Sequence, residues 1–424
     1  MKYKILHLTP HLGGGVGTVL RSYLKKENIY THKVFSLDTI NELSKEIMTN
    51  KHISFKESVS SKHQIILNEI SLSDILIIHW WNHPLLYEFI IKNKLPKSRV
   101  IIWSHVSGLE VPQIFTKKLF DYCDYFVFTT PISYKSNEFL NYNGNKNKFL
   151  DIWSTAGFEK FKKIKHKKQK KFTIGYIGAI DFSKLHPDFI KICKKINIKD
   201  VKFIVCGDGS NLSTIKKEVK KYQIEDKFEF PGYVKDIKPY LQKFDIFLYP
   251  LNQKHYGTCD QVLTEAMSCG IVPVVFNNPM ERYIVHDSYT GIVTNSKQDM
   301  IKQIERISKD TYERQRLGSN AKEEVCKRFE INNTIKKWNK LYSKILKQKK
   351  TKKKWLHVKS QENIEASTIF LESLGSYSNS FKSNPSKSFM KYPSMKALTK
   401  GTPKHYQHFF KNDKQLKEWI INEK

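Results

Sequence analysis

The stretch YPLNQKHYGTCDQVLTEAMSCGIVPVVF, Tyr249 to Phe276, runs from an apolar strand through a polar loop into a helix and on to a second apolar strand. Gly257 and Thr258 are expected to open that helix, the glycine by its backbone freedom and the threonine as a hydroxyl cap. A helix start of this kind aims several unbonded N–H groups at an anion, and a diphosphate is the obvious candidate. Glu265 would project about two turns on, beside an apolar face made of Val262, Ala266 and Met267. A carboxylate at such a place suits a ribose diol. Asp260 stands one turn before it.

Three further constellations bear on chemistry. In HLTPHLGGGVGT, His7 to Thr18, a strand enters a glycine loop, and a helix follows from about Thr18. Gly13, Gly14, Gly15 and Gly17 let the backbone approach a ligand closely, although many doubly wound domains use the same device simply to turn. In GYIGAIDFSKLHPDFI, from Gly175, Gly178 closes a strand and Lys184 supplies a cation that is either a diphosphate contact or one of many surface lysines. The Gly207-Asp208-Gly209 turn follows, for which a structural role is favoured over backbone contact with a nucleotide. In RVIIWSHVSG, His105 ends a strand, where parallel sheets put their ligands. Taken alone, such a histidine is more often structural than catalytic. His79 in LIIHWWNH is its rival; Trp80 and Trp81 form either an acceptor-binding wall or packing at a domain face.

These residues need strands and helices in alternation, and the chain supplies them. KYKILHL, DILIIH, RVIIWSH and YFVFT read as buried strands of a first α/β domain, residues 1–160. The lysine-dense run of residues 161–171 reads as a solvated linker. FTIGYIG, VKFIVCG, KFEFPGY, DIFLYP and IVPVVF are strands of a second domain, residues 172–346, which ends in helices from Lys297, Thr311 and Arg328. Residues 347–424 read as a basic extension, partly disordered, with short helices within SQENIEASTIFLESLG and DKQLKEWIINEK.

Composition sets the outer bounds. A chain of 424 residues suits two domains and something extra. Its 73 Lys+Arg against 41 Asp+Glu give a net charge of +32, which fits anionic substrates, an acidic membrane surface or a lysine-biased composition. Nucleic acid is disfavoured, because no motif places a helix or stacking platform on bases. No apolar run is long enough to span a bilayer and no signal peptide is expected. The six cysteines are scattered, without metal-ligand spacing, as in a reducing cytoplasm.

The Tyr249–Phe276 segment resembles the nucleotide-sugar loop and helix of the family-four retaining glycosyltransferases, the glycosyl transferases group 1. That family's pattern is two glutamates eight positions apart, then Ala-Met-x-x-Gly-x-Pro-Val-Val. Glu265, Ala266, Met267, Gly270, Pro273, Val274 and Val275 match, while Gly257 stands where the first glutamate belongs. Gly178 and Lys184 match a phosphate-gripping Gly-Arg-Leu and lysine, with Ala179 in place of the arginine. In NNPMERYIVHDSYTGIV, Glu281 and Gly291 fit and Asn277 and Asn278 replace glycines, which suggests a divergent branch.

The resemblance covers roughly residues 1–346 and is strongest in the second half. It implies the GT-B fold, α/β with two Rossmann-like doubly wound domains facing across a cleft. It further implies transfer of a sugar from a nucleoside diphosphate sugar to a hydroxyl of a glycan or lipid-linked acceptor, with retention and without bound metal or other cofactor. Surface polysaccharide assembly in the cytoplasm, peripheral at the inner membrane face, is the setting it suggests. By position His105 would face the donor sugar and Lys184 the diphosphate, with Asp260 replacing the missing glutamate. Gly14, Gly15, Gly178, Gly207, Gly257, Thr258, Cys259, Val262 and Glu265 would line the nucleotide site. The alternative is a chain that binds a nucleotide sugar without transfer, as partner subunit or sensor; an epimerase is a third reading.

Overall fold

The computed structural model describes residues 2–39, 53–161, 163–355, 364–421 and 423. Lys162 of the expected linker and residues 356–363, 422 and 424 of the expected extension lie outside them. The chain forms two compact units, one of residues 1–156 with 331–424 and one of residues 157–330.

Runs that are apolar at every position must be covered on both faces, and parallel strands achieve this through helical crossovers. The first unit contains β1 (Lys4–Thr9), β2 (Thr31–Ser36), β3 (Ile53–Lys56), β4 (Ile75–Trp80), β5 (Leu95–Ser98), β6 (Val100–Ser104), β7 (Tyr125–Phe128) and β8 (Phe149–Asp151). All but β5 join one parallel sheet in the order β3-β2-β1-β4-β6-β7-β8. Every residue of β4, β6 and β7 is buried, which is why those strands are readable as apolar runs. THKVFS of β2 is not such a run, since its His32 and Ser36 are interior only because neighbouring elements cover them.

The second unit holds β9 (Phe172–Ile177), β10 (Val201–Cys206), β11 (Phe228–Gly232), β12 (Ile246–Tyr249), β13 (Val272–Phe276) and β14 (Ile292–Thr294). They form a six-stranded parallel sheet in the order β11-β10-β9-β12-β13-β14. In each unit the strand order reverses beside the first strand, at β1/β4 and at β9/β12. Open α/β sheets bind ligands at such a switch point, beyond the carboxyl ends of the strands.

The division differs from the expected domains in three places. The helix Ile331–Leu346 belongs to the first unit, because Trp338, Leu341, Tyr342 and Ile345 share one core with Val19, Leu20, Tyr23 and Trp103. The lysine-rich stretch from residue 161 is part of the second unit rather than a free linker. Phe158, Phe161 and Ile164 anchor its start in the interior, and Lys167 N–H bonds Gln242 O at 2.7 Å.

The described part of the extension is folded onto the first unit rather than disordered. β15 (Thr351–Lys353) pairs antiparallel with β5. Helices follow at Ala366–Leu374, Ser378–Ser383, Pro385–Lys391, Pro403–Phe409 and Lys414–Ile421. Trp355, Phe370, Phe381, Phe389, Tyr406 and Trp419 are buried, so the extension's aromatics form an interior. Asn82 donates to Ser373 Oγ at 3.0 Å and accepts from Tyr406 O–H at 3.1 Å. Among the described residues no helix is long and apolar enough to cross a membrane.

Candidate active site

The loops that leave β9 and β12 meet at the switch point of the second sheet. Leu185 and Leu251 form an antiparallel bridge, His186 N–H bonds Pro250 O at 2.9 Å, and Asn252 N–H bonds Lys184 O at 2.7 Å. This stitching fixes the Lys184 backbone. Its ammonium lies 2.9 Å from Asp260 Oδ1 and over the Tyr249 ring, and Tyr249 O–H donates to the same oxygen at 3.1 Å. Asp260 Oδ2 is buried and has no hydrogen-bond partner among the described residues.

Charge in this cluster is balanced by contact rather than by water. Burial would raise the Asp260 carboxyl, but the Lys184 charge, with the hydrogen bonds from Lys184 and Tyr249, outweighs it and keeps the group ionised below its ordinary range. Burial would likewise lower Lys184, and Asp260 with Tyr256 more than offsets it, holding the ammonium charged. Behind Asp260, Gly257 N–H donates to His255 Nδ1 at 2.9 Å. That bond leaves the ring proton on Nε2, which faces Glu281 Oε1 at 2.8 Å.

The helix of this loop is Gln261–Ser268, and its cap is Asp260 in the left-handed region, φ 32°. It does not begin at Gly257 and Thr258 as expected. The Gly257 N–H is spent on His255, and the turn at Asp260 aims the chain into the helix only afterwards. Glu265 therefore stands in the second turn. Its side chain is buried, with Lys160 Nζ 3.4 Å from Oε1, and burial raises its carboxyl above the usual range. Cys259 and Thr258 are all but buried in the loop, and Val262 is half-buried beside Leu263, Ala266 and Met267, which are fully buried.

Gly178 and Gly207 pack the strand ends together. A Cβ on Gly207, which has φ +148°, would lie 1.9 Å from Gly178 O. The two loops could not approach so closely with any larger residue at 207.

The remaining expected residues lie in the first unit. The first helix spans Gly14–Lys26, starting earlier than the expected Thr18, and Gly14 takes φ +61°. Gly14 and Gly15 are exposed, and a Cβ on either would meet nothing within 4 Å. His105, just beyond β6, is partly exposed and its Nε2 lies 2.9 Å from Nδ1 of the buried His79. His79 thus holds His105 instead of rivalling it. Trp80 is wholly buried against Phe115, whereas the Trp81 ring lies 5.0 Å from that of His11 and 6.0 Å from that of His105.

The structure brings Lys184, Asp260 and Gly257 into one cluster. Tyr249 and His255 belong to it too, and sequence reasoning gave neither a role. Tyr249 was findable, because it is the last residue of a strand beside the switch point. The pairing of His255 with Glu281 was not, because 26 positions separate the two, although Glu281 itself matches the family's motif.

Comparison with known proteins shows what the second unit and the fold are similar to. Residues 157–324, almost the whole second unit, match the model of the family described as glycosyl transferases group 1. The mixed α/β architecture, with parallel sheets of seven and six strands, matches GT-B glycosyltransferase structures.

Among particular relatives, the 2-deoxystreptamine N-acetyl-D-glucosaminyltransferase of Niallia circulans is 30% identical over 112 residues, 26% of this chain and 28% of that protein. The N-acetyl-alpha-D-glucosaminyl L-malate synthase of Bacillus anthracis is 27% identical over 176 residues, 39% of this chain and 42% of its own length. The chain thus spans less than half of each of these two curated relatives. The crystal structure of Anabaena HepE in complex with UDP superposes with a TM-score of 0.65 at 14% identity, covering 81% of this chain and 100% of that one.

Proposed function

We propose that the protein is a glycosyltransferase that moves a sugar from a nucleoside diphosphate sugar to a hydroxyl of a glycan or lipid-linked acceptor, with retention at the anomeric carbon and without a metal. The observation that carries this reading is the Lys184–Asp260–Tyr249 cluster at the β9/β12 switch point. Departure of a diphosphate builds negative charge, which a fixed cation and helix-end N–H groups stabilise. Lys184 supplies the cation, and Gln261–Ser268 the helix start. Asp260 spends one oxygen on Lys184 and Tyr249 and keeps the other for a donor-sugar hydroxyl, as the missing glutamate of the resembling family would. Glu265 accepts from the ribose. The anomeric carbon passes through an oxocarbenium-like state, and the departing diphosphate oxygen takes the acceptor proton on the same face.

Two of the relatives are named for N-acetylglucosaminyl products and the Anabaena protein was crystallised with UDP, so UDP-N-acetylglucosamine is the first donor to test. UDP at 100 times its Kd should stabilise the protein by about 2.7 kcal/mol. Lys184→Gln should weaken UDP binding on the order of tenfold, roughly the worth of one charge-assisted contact. Turnover unchanged by EDTA and an α-linked product from an α-linked donor are expected. Surface glycan assembly at an inner membrane face is the proposed setting, and sedimentation with anionic but not neutral vesicles tests the membrane part of it.

The replacements at Gly257 and Ala179 favour a second reading, a nucleotide-sugar-binding partner or sensor. Tight UDP binding with no turnover on any acceptor would establish it. If no sugar nucleotide raises the melting temperature, both readings fail.

A further inference from the structure

Four histidines cross the first sheet in a line. His32 lies on β2, His7 on β1, His79 on β4 and His105 just past β6, so the line visits four strands that are neighbours in space. His32 pairs with Ile5, His7 with Ile77 and His79 with Trp103. Each histidine therefore sits two residues nearer the carboxyl edge than the one before, and a step of two keeps all of them on one face. Their rings bond in series: His32 Nδ1 to His7 Nε2, His7 Nδ1 to His79 Nε2, and His79 Nδ1 to His105 Nε2, each at 2.9 Å. At the inner end His32 Nε2 meets Glu27 Oε2 at 2.8 Å.

Glu27 gives this series a direction. Its carboxylate accepts from Ile29 N–H at 2.9 Å and Tyr30 N–H at 3.2 Å, and these bonds with His32 hold it ionised despite burial. An ionised carboxylate only accepts, so His32 donates from Nε2. A neutral His32 then accepts at Nδ1 from His7, which accepts from His79, which accepts from His105. The rings of His32, His7 and His79 are almost wholly withdrawn from water; burial holds His7 and His79 well below their ordinary range and pushes His105 down to about 3.

We propose that Glu27, acting through His32, His7 and His79, is a positioning residue that holds His105 protonated on Nε2. Nδ1 then meets its partner as a hydrogen-bond acceptor, suited to a sugar hydroxyl and not to a phosphate oxygen. The tautomer follows from the bonds within the first unit. Its use on a sugar rests on the glycosyltransferase reading.

Long-range ¹H–¹⁵N correlation at pH 8 on the full chain, with His105 assigned by comparison with His105→Asn, reads the tautomer directly. The expected result is a protonated Nε2 and a bare Nδ1 at His105. In Glu27→Gln a carboxamide can also donate to His32, so His105 should show protonated Nδ1. Donor kcat/KM should then fall on the order of ten- to a hundredfold, the size of effect that outer hydrogen-bond partners exert on the groups they orient. A wild-type His105 protonated on Nδ1 would mean that His32 is an imidazolium and every bond runs the other way, which overturns the proposal. Tautomers unchanged both in Glu27→Gln, whose oxygen can still accept, and in Glu27→Leu, which offers no acceptor, overturn the part given to Glu27. The expected tautomers with no turnover of any nucleotide sugar would leave the histidine line standing and remove the transferase reading instead.

Discussion

Asp260 combines a left-handed backbone, two hydrogen bonds on one oxygen and none on the other. A carboxylate arranged this way serves folding through one oxygen and leaves the other for the proposed donor-sugar contact. Asp260→Asn tests the folding part, since it keeps the shape and removes the charge opposite Lys184. The expected cost is about 2 kcal/mol at neutral pH, toward the low end for one member of a charged pair because Lys184 keeps some access to water. Because the folded-state pKa of Asp260 is depressed, its contribution is complete above the unfolded value of about 4 and is lost as the pH falls through the folded one. Urea unfolding of both forms should therefore differ at pH 7 and converge as the pH falls through the folded-state value. A gap that persists once Asp260 is protonated in folded and unfolded states alike would mean that the loss comes from the introduced amide rather than from the missing charge.

At the scale of elements, the turns after the strands decide what each sheet can hold, and their glycines are not equivalent. Gly207 has φ +148° and faces a backbone oxygen 1.9 Å from where a Cβ would stand, so neither partner can yield. Gly14 has φ +61° and open space. Gly207→Ala should cost about 3 kcal/mol or more through backbone strain and collision, and Gly14→Ala about 1 kcal/mol through its left-handed backbone alone. Urea midpoints rank the two, and equal effects would refute the close-packing role of Gly207. Gly257 is a third case, since a Cβ there would lie 2.7 Å from His255 Nδ1. His255 is held by Glu281, so a side chain at 257 displaces a fixed ring. Gly257→Ala should therefore destabilise wild type more than it destabilises a His255→Ala background.

For the whole molecule, the sequence disclosed what is written in apolar runs and local spacing. The strands β1, β4, β6, β7 and β9 to β13 could be read because half or more of their residues are apolar, and Lys184 and Glu265 because they hold set distances from a strand or motif. Polar strands such as β2 could not be read, nor could the His255–Glu281 pair or the histidine line, because those depend on register between distant segments. The extension was misjudged for a related reason. Its lysines dominate its composition, while the few aromatics that fold it are spread between residues 355 and 419. A chain ending at Gln348 tests that correction. It would lose β15 from the edge of β5, the helix Ala366–Leu374 from its seat on Pro84–Lys92, and the Ser373 and Tyr406 partners of the buried Asn82. Each buried aromatic is worth about 2 kcal/mol, and about 1 kcal/mol moves the melting of a unit this size by roughly 2–4 °C. The truncated chain should therefore melt at least about 5 °C lower and bind a hydrophobic dye that the full chain excludes. Unchanged melting would return the extension to the solvated appendage that its lysines suggest.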